Sequence, residues 1–253
     1  MPRPMSFKTE SLNTSRNVMV QQLKRNLERG LPQFKEECPE HKGVAVIVGG
    51  GPSLKNTILP PGDIFALNGV HDWLIDRNTV PKFHVLLDAR PDNASFVQNP
   101  SHDVDYLIAG ICHSEVFDAL KDEHVILWVP DMDEIQDMDC LRVGGGATVG
   151  MKTMYLAYLM GYRRFHFAGF DSCYHDGHGH AYEQSLNDGE EVIDVIAAGR
   201  RFKCAPWMAK QADEFQKQAR KLIDLGCDLT VHGHGLIPWM VQSQQTGENY
   251  ARA

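Results

Sequence analysis

Residues 44–54 read Val-Ala-Val-Ile-Val-Gly-Gly-Gly-Pro-Ser-Leu, an apolar β-type run that stops in three glycines, a proline and a serine. No polar residue alternates with the valines, which is the pattern of a strand buried on both faces. With no Cβ in the way, Gly49, Gly50 and Gly51 allow a sharp turn and a close approach of a ligand to the backbone. A helix opened by Pro52 or Ser53 would aim free N–H groups and a positive helix end above the strand, so the stretch predicts a phosphate or carboxylate site. Its spacing fits neither common nucleotide fingerprint, because Lys55 and Asn56 follow Leu54 and no Gly-Lys-Ser/Thr is present. A tight strand-to-helix turn with a purely structural role is the other reading.

The chain beyond this run repeats the pattern. Apolar runs at residues 63–67, 83–87, 106–109, 124–129, 163–168 and 228–231 alternate with helical spacing, notably over 151–160 and 207–225. That alternation is the signature of β–α units. It predicts an α/β fold: an open, mostly parallel, Rossmann-like doubly wound sheet with flanking helices and a small hairpin insertion over 192–204. A chain of 253 residues suits one such core. The division expected is an N-terminal arm and helix at 1–42, the α/β domain at 43–238 and a polar tail at 239–253. The helix near 17–35 is read as packing on the core or on a second copy in a homo-oligomer.

The strands end in Gly, Asn, Asp or His. In an open parallel sheet those ends share one edge, and ligands bind outside it. Gly49–Ser53, Asn68, Asp88, Gly110, Asp171 and His232 are therefore expected to converge. Asn68 can donate and accept at once, which suits a base edge, a ribose hydroxyl or a phosphate oxygen, or else closes a turn on its own backbone. Asp88 reads as a ribose ligand, a carboxylate facing Mg²⁺ on a diphosphate, or a turn cap with Arg90. Gly144-Gly145-Gly146 and Thr148 precede a helix and form either a second phosphate site or an ordinary N-cap. Asp171, His175, Asp176, His178 and His180 crowd into ten residues. A histidine there is a general acid or base or a surface residue; a protein-held transition metal is the weaker alternative.

Lys and Arg number 25 against 33 Asp and Glu, for a formal charge of -8, which argues against nucleic acid as a partner. Six scattered cysteines without a Cys-x-x-Cys pair, and no 18-residue apolar stretch, lead to the expectation of a reduced, cytoplasmic protein with no membrane span.

Five pieces of this chain together resemble one known family: Gly49-Gly-Gly-Pro-Ser-Leu54, Ala66-Leu-Asn-Gly69, Leu87-Asp88, Gly144-Gly-Gly-Ala-Thr-Val149, and Ala168-Gly-Phe-Asp171 followed by His180-Ala. It is similar to the domains related to archaeal 6-hydroxymethylpterin pyrophosphokinase (MptE-like) and to the flagellin-modifying motility accessory factors, and more distantly to bacterial sialyltransferases. The resemblance implies a transferase that binds a nucleotide or nucleotide-sugar. In the accessory-factor branch the domain resembles a glycosyltransferase with a CMP-activated donor and a glycan or protein acceptor. Gly49, Gly50, Gly51, Pro52, Ser53, Asn68, Gly145, Gly146 and Thr148 would then face the nucleotide, and Asp171, His178 and His180 the transfer centre. In the pterin branch the crevice would take ATP with Mg²⁺ held by Asp88 and Asp171, and a pterin alcohol as acceptor. A non-catalytic nucleotide-binding or assembly module is the third reading.

Overall fold

The computed structural model describes residues 14–184 and 189–251. Its strands are β1 (Val44–Val48), β2 (Asp63–Leu67), β3 (Phe83–Leu86), β4 (Asp105–Ala109), β5 (Val125–Pro130), β6 (Arg142–Val143), β7 (Arg164–Ala168), β8 (Ile193–Ala197), β9 (Arg200–Cys204) and β10 (Asp228–Val231). The helices are α1 (Arg16–Leu27), α2 (Val70–Ile75), α3 (Ser114–Ala119), α4 (Val149–Leu159), α5 (Pro206–Asp224) and α6 (Leu236–Ala251). Among the described residues, eight parallel strands form one sheet in the order β10-β7-β1-β2-β3-β4-β5-β6, and β8 and β9 form a separate antiparallel hairpin. This is the expected open α/β architecture.

The strand patterns follow from burial on both faces. In β1, Ala45 and Ile47 join the larger core, while Val46 and Val48 join a second core on the opposite face with Ala66, Val70 and Leu74. Helix α4 packs on β1, β2 and β3, and α2 packs on β2. Helix α5 buries Met208, Ala212, Phe215 and Leu222 along one stripe, and the Phe215 ring meets those of Phe167 and Phe170 at 5.1 and 6.1 Å. Burying a phenylalanine side chain contributes about 2–3 kcal/mol, so this contact seats α5 firmly beside β7.

The expected N-terminal helix packs on the core, the arm expected before it lies outside the described residues over 1–13, and the expected polar tail carries a helix. Ser15 caps α1 by accepting the Val18 amide, and α1 buries Gln22, Leu23 and Asn26 against the sheet's carboxyl edge. Asn26 donates to the carbonyls of Gly110 and Cys112 at 2.9 and 2.8 Å, and the Leu23 side chain packs directly on Gly110, where a Cβ would force it to shift. Residues 32–34 then lie beside β5, with the Leu127 amide bonded to Pro32 O and the Phe34 amide to Leu127 O. The N-terminal helix is thus part of the domain, and it covers the end of β4 that was expected to face a ligand. The polar tail is also a helix from Leu236 onward, whose Leu236 amide donates to Asp171 O at 2.7 Å.

Candidate functional site

Strand β1 leads rightward in the sheet to β2, whereas β7, its other neighbour, leads leftward to β10. Their loops therefore part at the carboxyl edge, which is the topological switch point where open α/β sheets hold ligands. Here the two loops cross backbone against backbone. The Gly49 amide donates to Ala168 O and the Gly51 amide to Gly169 O, each at 2.8 Å. Gly169 sits at φ +66, and a Cβ there would strike Gly49 O; a Cβ on Gly51 would strike Asp171 Oδ2 and Gly169 O. Glycine at these points is a condition of the crossing.

Pro52–Asn56 is one short 3-10 turn, and its mouth already holds an anion. Asp171 Oδ2 accepts the Ser53 amide at 2.9 Å and the Ser53 hydroxyl at 3.0 Å. Burial pushes the Asp171 carboxyl above the usual carboxylate range, while Ser53, the Gly235 amide and His234 favour its ionised form. The expectation of free amides awaiting a ligand phosphate is corrected accordingly: those of Gly49, Gly51 and Ser53 all have internal partners. Gly50 is engaged through its carbonyl, which accepts the Ala181 amide at 2.8 Å.

The histidine-rich segment turns back on itself. His175 and His178 exchange backbone bonds at 2.9 Å around Asp176 (φ 49) and Gly177 (φ 80), the two-residue turn with both central residues left-handed. His178 is exposed at its tip, whereas His180 is half-buried and burial pushes its ring below the usual imidazole range. The chain then crosses the end of β1, and the Tyr182 ring packs where Cβ atoms on Gly50 and Gly69 would stand, with burial raising its phenol well above the usual range. Ala181 and Tyr182 thus cover the β1–β2 part of the crevice. The open volume, about 1490 Å³, lies to the β7–β10 side, walled by Ser53, Asp171, His180, His232 and the β8–β9 hairpin with its Arg200 and Lys203.

Of the residues singled out from sequence, Pro52, Ser53, Asp171, His175, Asp176, His178, His180 and His232 line this one cleft. Others are placed elsewhere. Asn68 ends β2 beneath the covered part, its Oδ1 buried and unpartnered. Asp88 is bound by Arg90, whose amide, Nε and Nη2 donate to it at 3.0, 3.0 and 2.8 Å. It lies three strand intervals from Asp171, about 14 Å at ordinary strand spacing, so the two carboxylates cannot share one Mg²⁺ with its 2.0–2.1 Å bonds. Asp88 and Asp171, each expected to face magnesium on a bound nucleotide, are engaged here by Arg90 and by Ser53. Among the described residues, no three His, Cys, Asp or Glu side chains gather to hold a metal. Gly145 borders a smaller hollow with Arg142 and Tyr155; the Ala147 amide donates to Glu214 at 3.1 Å, and Gly146 lies against the same carboxylate. Thr148 is the N-cap of α4, accepting the Met151 amide, and α4 enters the sheet edge at Gly150 beside Phe170 and Leu67. Both glycine loops therefore receive carboxylates of the protein itself.

His166 and Tyr182 had no clear local signal, whereas His232 was expected at this edge. His166 Nδ1 lies 2.9 Å from His232 Nε2 with the rings stacked, and burial, then His232, lowers the His166 ring's pKa. Gly233, at φ +111 beside Ser53, and Gly235, pressed onto Asp171, bring β10's loop into the same crossing. Tyr182 was not foreseen, although Asp176-Gly177 is a hairpin dipeptide that would have forecast the loop's return.

The sequence matches the family described as 6-hydroxymethylpterin diphosphokinase MptE-like over residues 17–177, more than half its length. The chain belongs to the MptE-like family. The match includes the first glycine loop, Asn68, Asp88, the second glycine loop and Asp171, and its start at residue 17 agrees with the integration of α1. No curated protein sequence matches this MptE-like chain. Among solved structures it is similar to the MAf glycosyltransferase from Magnetospirillum magneticum AMB-1, at 14% identity and TM-score 0.56 over 81% of this chain and 34% of that one. The MptE-like chain thus spans about a third of that protein's length, and the likeness is one of fold. No helix among its described residues is long and apolar enough to cross a membrane.

Proposed function

We propose that this MptE-like domain is a nucleotide-dependent transferase of the glycosyltransferase type, with a CMP-activated or related nucleotide-sugar as donor. The observation that carries the reading is the Ser53–Asp171 contact at the switch point, which joins two motifs 118 residues apart on the wall of one large cleft. A volume of about 1490 Å³ exceeds the roughly 300–1,000 Å³ of a single small-ligand pocket, which suits donor and acceptor side by side. The nucleotide would displace the Tyr182 ring from over Gly50 and Asn68 and lie toward these and Thr148, with the transferred group in the open cleft.

In this reading His180, kept neutral by its burial, takes the acceptor's hydroxyl proton as a general base. Asp171 holds the Ser53 turn in place and puts negative charge near an oxocarbenium-like centre. Because the first loop's amides already have partners, charge on the departing phosphate would be met from the hairpin wall, where Arg200, Arg201 and Lys203 border the cleft. The mass of the acceptor, whether glycan or protein, is left to the rim of the cleft.

The family match favours one second reading, an ATP-dependent pyrophosphokinase acting on a 6-hydroxymethylpterin-like alcohol. Titration calorimetry separates the two. With CMP and Mg-ATP as probes, the first reading expects tighter binding of CMP, weakened by Ser53→Ala; absence of measurable cytidine-nucleotide binding would sink it. Tighter, magnesium-dependent binding of ATP would favour the second.

A further inference from the structure

Asn68 is held in place mainly through its backbone. It has φ 50, in the left-handed region that few residues other than glycine and asparagine adopt. Such a conformation persists where neighbours over-determine it. Its amide donates to Val85 O at 3.3 Å, and its carbonyl receives two donors, the His71 amide at 3.3 Å and His84 Nε2 at 2.9 Å. Because that partner is a carbonyl, Nε2 carries a proton, and burial, then the neighbouring His71, pushes the ring well below the usual imidazole range.

His84 has no other polar engagement. It is fully buried in β3 among Phe83, Val85 and Leu86, and its Nδ1 is without a partner. An unpaired buried acceptor is destabilising, so an apolar side chain of similar volume would pack this position better. What histidine adds here is the bond to Asn68. The ring is in turn fixed by stacking on His71 at 4.5 Å, and His71 is tied to Asp72 at 2.7 Å and to the Tyr106 hydroxyl at 3.3 Å. Asn68 Oδ1, buried and unpartnered, sits at the end of β2 next to Gly69, under the cover provided by Tyr182. It is an acceptor lacking the donor that would complete it.

We infer that His84 is a positioning residue for the nucleotide site: its Nε2–H sets the Asn68 backbone so that the carboxamide can accept a hydroxyl or amino donor of a bound nucleotide. The inference rests on the nucleotide reading above.

The test is calorimetric titration of CMP into the wild-type chain and into Asn68→Ala, His84→Gln, His84→Phe and the double variant Asn68→Ala/His84→Phe, with thermal melts as a folding control. Glutamine carries an amide nitrogen near the position of Nε2, whereas phenylalanine keeps the ring and removes the donor. His84→Gln should bind within about twofold of wild type, and His84→Phe and Asn68→Ala should each weaken binding about tenfold, with no further loss in the double variant. A purely structural role for His84 would show as additive losses or as failure of glutamine to rescue. Should His84→Phe not fold, His84→Asn, too short to reach the carbonyl, replaces it with the same expectation. Wild-type binding that is weakened by Asn68→Ala but unchanged by either His84 variant overturns this inference alone. Absence of CMP binding by the wild-type chain overturns the nucleotide reading and this inference with it.

Discussion

Asp171 Oδ2 accepts both the amide and the hydroxyl of Ser53, at 2.9 and 3.0 Å, across a separation of 118 residues. The loop that promised to hold a ligand's anion is thereby braced by one of the protein's own. Each such bond to a charged acceptor contributes about 1.5–3 kcal/mol, and the contact fixes β1's loop to β7's at the point where the strand order reverses.

Removal of that brace should be visible in stability. Asp171→Ala leaves the Ser53 and Gly235 amides without their acceptor and should cost about 2–3 kcal/mol in chemical denaturation. Asp171→Asn, which keeps one acceptor oxygen, should cost about 1 kcal/mol. Equal, negligible losses in both variants would show that the contact does not brace the loops.

Two left-handed glycines should respond differently to alanine. At Gly177, with φ +80, an added Cβ would meet nothing within 4 Å, so Gly177→Ala should cost only the backbone strain, about 1–2 kcal/mol. Gly169→Ala adds a collision with Gly49 O, which as backbone cannot swing aside, and should cost at least about 3 kcal/mol in total. Thermal melts of the two variants measure the difference, and similar values would mean that the loops do not cross as described.

Stability should fall as the solution is acidified from neutrality. Burial holds the rings of His84, His166 and His180 below the usual imidazole pKa, most strongly for His84. The unfolded chain binds these protons near pH 6.5 and the folded chain does not, so stability is full above that pH. It is lost as pH falls from 6.5 toward the depressed folded values, at up to about 1.4 kcal/mol per pH unit for one fully buried histidine. Asp171 has the opposite sign, because its raised pKa lets the folded chain keep a proton that the unfolded one has released, and it returns some stability at lower pH. Denaturation midpoints at pH 8, 6.5 and 5.5 should decline in that order, and less steeply in His84→Phe. A flat profile would count against the burial of these rings.

Helix α1 should be needed by the domain. Asn26 satisfies the buried carbonyls of Gly110 and Cys112, so Asn26→Ala should cost about 2–3 kcal/mol and accelerate proteolysis near the N-terminus. Unchanged stability would return α1 to the role of a detachable arm.

The alternation of valine-rich runs with helical spacing was enough to place every strand but the two-residue β6, the parallel sheet and the β8–β9 hairpin, because apolar periodicity is a local property of the backbone. The glycines of the first loop were likewise legible, since an abrupt stop after Val48 requires a turn. Less was legible at the ends of the chain. Helix α6 begins at Leu236 through a bond to Asp171 O, and α1, legible as a helix, is seated by carbonyls 84 and 86 residues away; neither bond leaves a local trace.

The site divides in the same way. Sequence alone determined that Ser53, Asn68, Asp88 and Asp171 stand at the carboxyl edge of parallel strands, because each follows an apolar run. Only the tertiary structure decided what each one faces there: Ser53 and Asp171 each other, Asp88 its neighbour Arg90, and Asn68 the buried ring of His84. Strand order sets those distances, and strand order is settled by which faces pack on which helices, a balance summed over the whole core that no single stretch of residues contains.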